Sequence, residues 1–306
     1  MKKLSAAVLR DLFVERATAK FAANVPDFVA LQHLVKEQGG TFRNDHGAIR
    51  TADLALRDLF ARAAGVLGLK RELDYEFPAK KLKSFDLQVP GKDAGQFKIF
   101  VSQVDLHAFP KDVAARVRED CAEQAAEMDH GPFEHLIGIA ERDHGLSESD
   151  AEAFIGHFVD ELMHRNGPPL KRSTLDAVAA VSGEAASALA LGPDFNHVTI
   201  DVRAAGFDGI EAMAAAMKAR GFRMLPQIQG APGTRLRQTA TLAATMDTPV
   251  READGRIGTA QTEKQFVEII ERNTVVAHEA IFKNFLASNA EKIFDAASTK
   301  ATRGFA

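Results

Sequence analysis

The order strand–helix–strand–strand–strand occurs twice in this chain, and each copy opens on a strand that carries a histidine beside an acid or amide. The first opening strand is Asn44-Asp45-His46-Gly47-Ala48-Ile49-Arg50, between a Gly39-Gly40 break and an amphipathic run that begins at Ala52. The second spans 195–202 and carries Asn196-His197. In the first copy, Leu54, Leu56, Leu59, Phe60 and Ala63 share one side of a helix over 53–67 that Gly68 ends. Strands over 69–77, 84–89 and 96–104 follow, separated by turns at Pro90-Gly91 and 93–95. In the second copy, a helix over 210–220 stops at Gly221. Strands are predicted over 222–229, 235–246 and 261–272, with breaks at 230–233 and Asp254-Gly255. Two supersecondary units of one kind in one chain point to an internal duplication.

The remaining segments are helical. Leu4, Val8, Leu9, Leu12, Phe13 and Phe21 recur at helical spacing, and 25–36 repeats the pattern with Pro26 in its first turn. Between the units, 111–128, 133–143, 151–165 and 175–191 read as helices, with Ser147 and Asp150 forming a helix-start cap. The tail over 276–294 reads as one or two more. The expected organisation is a single domain over 1–306. N-terminal helices (1–40) lead into the first βαβββ unit (41–107), a helical insertion (110–192), the second unit (195–275) and C-terminal helices (276–306). The fold class is α+β, with a curved mixed sheet built from the two units.

Composition excludes several functional classes. Hydrophobic residues make up 46% of 306, enough for a sizeable core. Lys and Arg number 38 against 42 Asp and Glu, a net charge of −4 without long basic runs, which argues against a nucleic-acid partner. The single cysteine, Cys121, rules out an internal disulfide framework and a cysteine-based zinc site. Arg10, Asp11, Glu15 and Arg16 interrupt any leader-like apolar run, and no stretch is long and apolar enough for a membrane span. A cytoplasmic protein without membrane partners is expected, with homo-oligomers open.

Alternation on the first opening strand turns His46, Ala48 and Arg50 to one face. A neutral imidazole can ligate a metal, and two steps beyond the small Ala48 a guanidinium fork can hold a carboxylate. His197 stands at the matching place in the second unit. Glu268, in Phe266-Val267-Glu268-Ile269-Ile270-Glu271-Arg272, lies among apolar neighbours on that unit's last strand. Read singly, His197 serves equally as a strand-end histidine bonded to backbone, and Glu268 as an edge carboxylate facing water. Together, two histidines and a carboxylate on three strands form a facial triad that leaves the opposite side of an octahedral ion open, the arrangement of non-haem Fe(II) oxygenases. Arg237 and Arg272 are weaker candidates for gripping substrate, and Gln103 is placed where Glu268 falls in the other unit. His130, His135, His144, His157 and His164 in the insertion include no i, i+4 pair and no HExxH, and read as structural or surface residues.

The paired Asp/Asn-His strand openings and the Phe266-x-Glu268-Ile-Ile-Glu-Arg272 strand resemble the vicinal-oxygen-chelate (glyoxalase-like) superfamily, whose module is this strand–helix–three-strand unit. That last strand and Ser288-Asn289-x-x-x-Ile293-Phe294-Asp295 are similar to the 4-hydroxyphenylpyruvate dioxygenases. The His46-x-x-x-Arg50 strand, Leu236-Arg237-Gln238-Thr239 and the helical insertion look closer to the 2-oxoadipate dioxygenase/decarboxylase family. The resemblance implies Fe(II) held by His46, His197 and Glu268, with Arg50 on a substrate carboxylate. It further implies O2-dependent decarboxylation of a 2-oxo acid, 2-oxoadipate giving 2-hydroxyglutarate in lysine catabolism. A glyoxalase-like metal-dependent isomerase or lyase without O2 chemistry, and a non-catalytic ligand-binding protein of the same fold, are the alternatives.

Overall fold

The computed structural model describes residues 3–91, 93, 95–274 and 280–297. Helices α1 (Ala6–Asn24) and α2 (Pro26–Glu37) precede the first unit: β1 (Asn44–Thr51), α3 (Leu54–Val66), β2 (Lys70–Phe77), β3 (Leu82–Gln88) and β4 (Lys98–Val104). The insertion contains α4 (Lys111–Ala125), α5 (Gly131–Asp143), α6 (Glu148–Gly156) running into a π-helical turn, a short β5 (Leu170–Lys171), α7 (Arg172–Ala179) and α8 (Gly183–Leu191). The second unit has β6 (Phe195–Asp201), α9 (Ile210–Ala219), β7 (Leu236–Ala240), β8 (Ala244–Arg251) and β9 (Ile257–Arg272), and α10 (Ala287–Ile293) follows.

The strands run in the order β2-β3-β4-β1-β6-β9-β8-β5, with β7 also paired to β9. Within each unit the opening strand lies parallel to the last one, β1 to β4 and β6 to β9. The two units abut through the antiparallel β1–β6 pair, which places their opening strands side by side at the centre of the sheet. Alternation then divides the sheet's faces. Ile49, Ile99, Val101, Val198, Ile200, Val267 and Ile269 pack into a core with α1, α2 and α3 on the outer face. Ala48, Phe77, Phe100 and Leu82 join Phe285 and Phe294 and residues of α4, α7 and α8 on the inner face.

Local signals explain most element bounds. Asp53 caps α3, accepting from the Ala55 and Leu56 amides at 2.8 and 3.2 Å. In α1, Leu9, Phe13, Ala17 and Phe21 form a buried i, i+4 stripe. The helix predicted over 175–191 is two helices: one run ends at Ala179, and the Ser182 hydroxyl caps the next at the Ala185 amide.

The second unit departs from expectation more. The run 222–229 is no regular strand; it touches the sheet through bridges at Met224–Thr241 and Gln229–Gln238, with Pro226 between them unable to donate. The predicted strand over 235–246 is β7 and β8, separated where the Leu242 amide turns to the Arg223 carbonyl and the Ala243 amide to the Ala296 carbonyl. Strand β9 starts at Ile257, paired with β8 in a hairpin around Asp254-Gly255. Of the expected helical tail, 276–279 and 298–306 lie outside the described residues, and 280–286 is not helical, so α10 begins only at Ala287.

Gly47 shows how tightly the central pair is packed. A Cβ there would lie 2.4 Å from the Phe195 ring, which is wedged against Phe13 and Phe97 in the outer core. Gly47→Ala is expected to destabilise the protein by about 1–3 kcal/mol, the usual effect of overpacking. The check is a lowered urea midpoint at unchanged m value; an unchanged midpoint would mean that the ring yields freely.

Candidate metal centre

His46 on β1 and His197 and Thr199 on β6 all face inward, the histidines opposite Thr199 and Ala48 respectively in the β1–β6 register. Glu268 on β9 pairs with Thr199 across the β6–β9 ladder. One ligand atom from each of His46, His197 and Glu268 lies within 4.8 Å of the other two, and all three side chains are buried. The Glu268 Oε2 atom is 3.7 Å from His46 Nε2 and 3.3 Å from His197 Nε2. The Thr199 hydroxyl sits 3.0 Å from His46 Nε2 and 3.1 Å from Glu268 Oε2. It donates to Glu268, and its role toward His46 follows from that ring's tautomer. The Gln238 amide donates to the other Glu268 oxygen.

Burial shapes the electrostatics. Desolvation raises the Glu268 carboxyl above its ordinary value, with His46, Gln238 and Thr199 opposing. It drives His197 well below its ordinary value, helped by His46 and Arg50, so that the ring is neutral. Two imidazoles and a carboxylate, their ligand atoms converging in a buried pocket with no lysine or arginine bonded to the carboxylate among the described residues, fit a divalent cation of the first transition row.

Arg50 is the second component. It lies on the same face of β1 as His46, with Ala48 between them, and is 2% exposed. None of its Nε, Nη1 or Nη2 atoms has a hydrogen-bond partner among the described residues. The Phe294 ring lies 4.8 Å from its guanidinium carbon. Burial pulls its pKa down to about 10, with Glu184 the opposing charge.

The segment carrying α10 covers both features. The Phe285 ring meets His46 edge-on at 4.8 Å. Together with Phe100, Ala290, Ile293 and Phe294 it closes a cavity at the triad of about 10 Å³, room for about one water.

The other sequence candidates are placed elsewhere. Arg237 points to the outer face and pairs with Glu211 and Glu271, since it neighbours the inward Gln238 on the strand. Arg272 faces inward, but its donors are taken. Nε and Nη2 bind Asp45 at 2.6 and 2.8 Å, and Nη1 reaches the carbonyls of Phe282, Lys283 and Asn284. Gln103 accepts from Arg57 on the outer face. The position matching Glu268 is Phe100, opposite Ala48 as Glu268 is opposite Thr199. Sequence reasoning passed over Thr199, although it stands two residues after His197 and shares its face. It also assigned no role to Gln238.

A family model described as HGLS, 2-oxoadipate dioxygenase/decarboxylase, matches residues 12–301. The chain belongs to this family. Curated proteins give no match. Among solved structures, a protein of the glyoxalase superfamily from Ralstonia eutropha JMP134 is 22% identical with a TM-score of 0.82, covering 93% of this chain and 88% of that one. Hydroxyglutarate synthase from Oryza sativa, in complex with 2-oxoadipate, is 18% identical with a TM-score of 0.75, over 99% and 96% of the two chains. The Pseudomonas putida hydroxyglutarate synthase with 2-oxoadipate is 21% identical with a TM-score of 0.71, over 89% and 65%. At these identities the likeness is one of fold, and it bears out the glyoxalase-like α+β architecture. As a member of the 2-oxoadipate dioxygenase/decarboxylase family, the chain is a decarboxylating 2-oxo acid dioxygenase. No helix among its described residues is long and apolar enough to cross a membrane.

Proposed function

We propose that this 2-oxoadipate dioxygenase/decarboxylase holds Fe(II) through His46, His197 and Glu268 and binds the far carboxylate of its substrate with Arg50. The reaction balances as 2-oxoadipate plus O2 giving 2-hydroxyglutarate plus CO2. The C1 carboxylate leaves as CO2, the keto carbon becomes the new carboxylate, and the adjacent carbon gains the hydroxyl. When bound, Fe(II) supplies the open positions for the 2-oxo acid's carboxylate and keto oxygens and for O2, and the electrons that make O2 reactive.

The protein's part is positioning. Arg50 is four residues beyond His46 on one strand, a Cα span of about 13 Å, on the scale of a short extended dicarboxylate. The observation carrying the reading is the buried Arg50 guanidinium with every nitrogen unpartnered among the described residues. A buried charge without a hydrogen-bonded partner costs several kcal/mol, and a bidentate carboxylate offsets that cost. Gln238 and Thr199 fix the Glu268 carboxylate by its two oxygens. Phe100, Phe285, Ile293 and Phe294 exclude water from the reacting end.

Anaerobic loading with Fe(II), followed by oxygen-electrode assays, tests this. Oxygen uptake is expected with 2-oxoadipate. With 2-oxohexanoate, which has a methyl where Arg50 needs a carboxylate, kcat/KM is expected to be about 100-fold lower or less still. Uptake with no 2-oxo acid, alongside turnover under Zn(II) or Ni(II) without oxygen, would favour an isomerase or lyase instead.

A further inference from the structure

The residue before the triad's first ligand faces the wrong way for a regular strand. Successive side chains on a strand point to opposite faces, so Asp45 belongs on the outer face when His46 is on the inner one. The β1–β6 register slips between Asn44 and His46, and this bulge brings Asp45 round to the inner side. Its Oδ1 lies 2.9 Å from His46 Nδ1. Asp45 is 3% exposed and is gripped at both oxygens by Arg272, itself 3% exposed, with Lys98 Nζ at 3.6 Å. Both Asp45 oxygens accept from Arg272, so Asp45 meets His46 as an acceptor and the His46 nitrogen facing it is the donor. That leaves His46 Nε2 with its lone pair turned toward Glu268 and His197.

Arg272 has a second attachment. Its Nη1 donates to three successive carbonyls, Phe282 at 3.2 Å, Lys283 at 2.9 Å and Asn284 at 2.8 Å. The next residue, Phe285, meets the His46 ring and lies 5.2 Å from the Arg272 guanidinium. The cap covering the triad thus hangs on the arginine that orients a triad ligand. Phe285, Ile293 and Phe294 leave about 10 Å³ free beside the triad, so the cap borders the space a substrate would take.

We infer that Asp45 and Arg272 are positioning residues that lock His46 in its metal-ready tautomer and couple cap closure to metal binding. The inference rests on the metal reading of His46, His197 and Glu268. Linkage makes the coupling reciprocal: whatever opens the cap loosens the ligand, and a bound metal steadies the cap. Asp45→Asn weakens the hold on Nδ1–H, and Arg272→Lys keeps the charge but cannot serve Asp45 and three carbonyls together.

The experiment uses Co(II) as probe on the full chain, with metal titration, the Co(II) absorption spectrum, metal-free melting, and hydrogen exchange over 280–290. Co(II) is expected to slow exchange over 280–290 in the unmodified protein. In Asp45→Asn, Co(II) affinity is expected to drop by about 10–100-fold, the range for partners behind a metal ligand. In Arg272→Lys, Co(II) still binds, but its protection of 280–290 is lost. If Asp45→Asn fails to fold, as the metal-free melt reports, the charge-conserving Arg272→Lys decides alone. An Arg272→Lys protein with unmodified affinity and unmodified Co(II)-dependent protection overturns the inference. Failure of the metal reading looks different: the unmodified protein then takes up no Co(II), or Glu268→Ala takes it up equally well.

Discussion

Glu268→Ala is expected to retain no Fe(II) or Co(II) after desalting and to lose at least about 1,000-fold in turnover. The triad has one carboxylate, and without it a divalent ion is left with two imidazoles in a buried pocket. Metal-free stability should move the other way or not at all. Glu268 is 1% exposed with no lysine or arginine bonded to it among the described residues, and burial raises its carboxyl, so its removal relieves a strained group. The paired measurements are metal content by elemental analysis and the melting temperature of the chelator-treated protein. Full metal retention would dissolve the centre. A ligand-binding protein without catalysis would bind 2-oxoadipate as before, whereas the present reading has that binding weaken with the metal.

Arg50→Met should separate binding from folding in the same manner. Methionine fills much of the same apolar channel beneath Phe294 without a charge. For 2-oxoadipate, kcat/KM is expected to fall by about 100–1,000-fold, about 3–4 kcal/mol, as when one partner of a buried charge pair is truncated. For 2-oxohexanoate it should hold or rise, so the preference between the two collapses. The free protein should become more stable, by about 1–4 kcal/mol, because a desolvated guanidinium without a hydrogen-bonded partner is gone. A lowered melting temperature combined with intact discrimination would mean that Arg50 is a structural cation and that another group holds the far carboxylate.

Much of the site was legible because strand alternation is a short-range rule. His46, Ala48 and Arg50 share a face for the same reason that Ile49 does not, and the matching His197 strand follows suit. What failed to read out depended on pairing. The bulge that turns Asp45 inward arises between two strands some 150 residues apart, and nothing local to Asn44-Asp45-His46 announces it. Counting along the chain selected Gln103 as the partner position of Glu268, whereas ladder register selects Phe100 and puts Gln103 on the other face. Arg237 and Arg272 look alike in sequence, yet one answers to Glu211 outside and the other to Asp45 inside. The missing regular strand over 222–229 was the readable error, since Pro226 was in plain sight.

The side-by-side opening strands also make the two halves unequal partners. The first half contributes Arg50 and has Phe100 where an acid would go; the second contributes Glu268 and has Asp201, bonded to Arg43, where an arginine would go. Joining two copies of either half would therefore double one function and delete the other. Each half depends on its neighbour for a group it lacks, a division of labour across the seam between the opening strands.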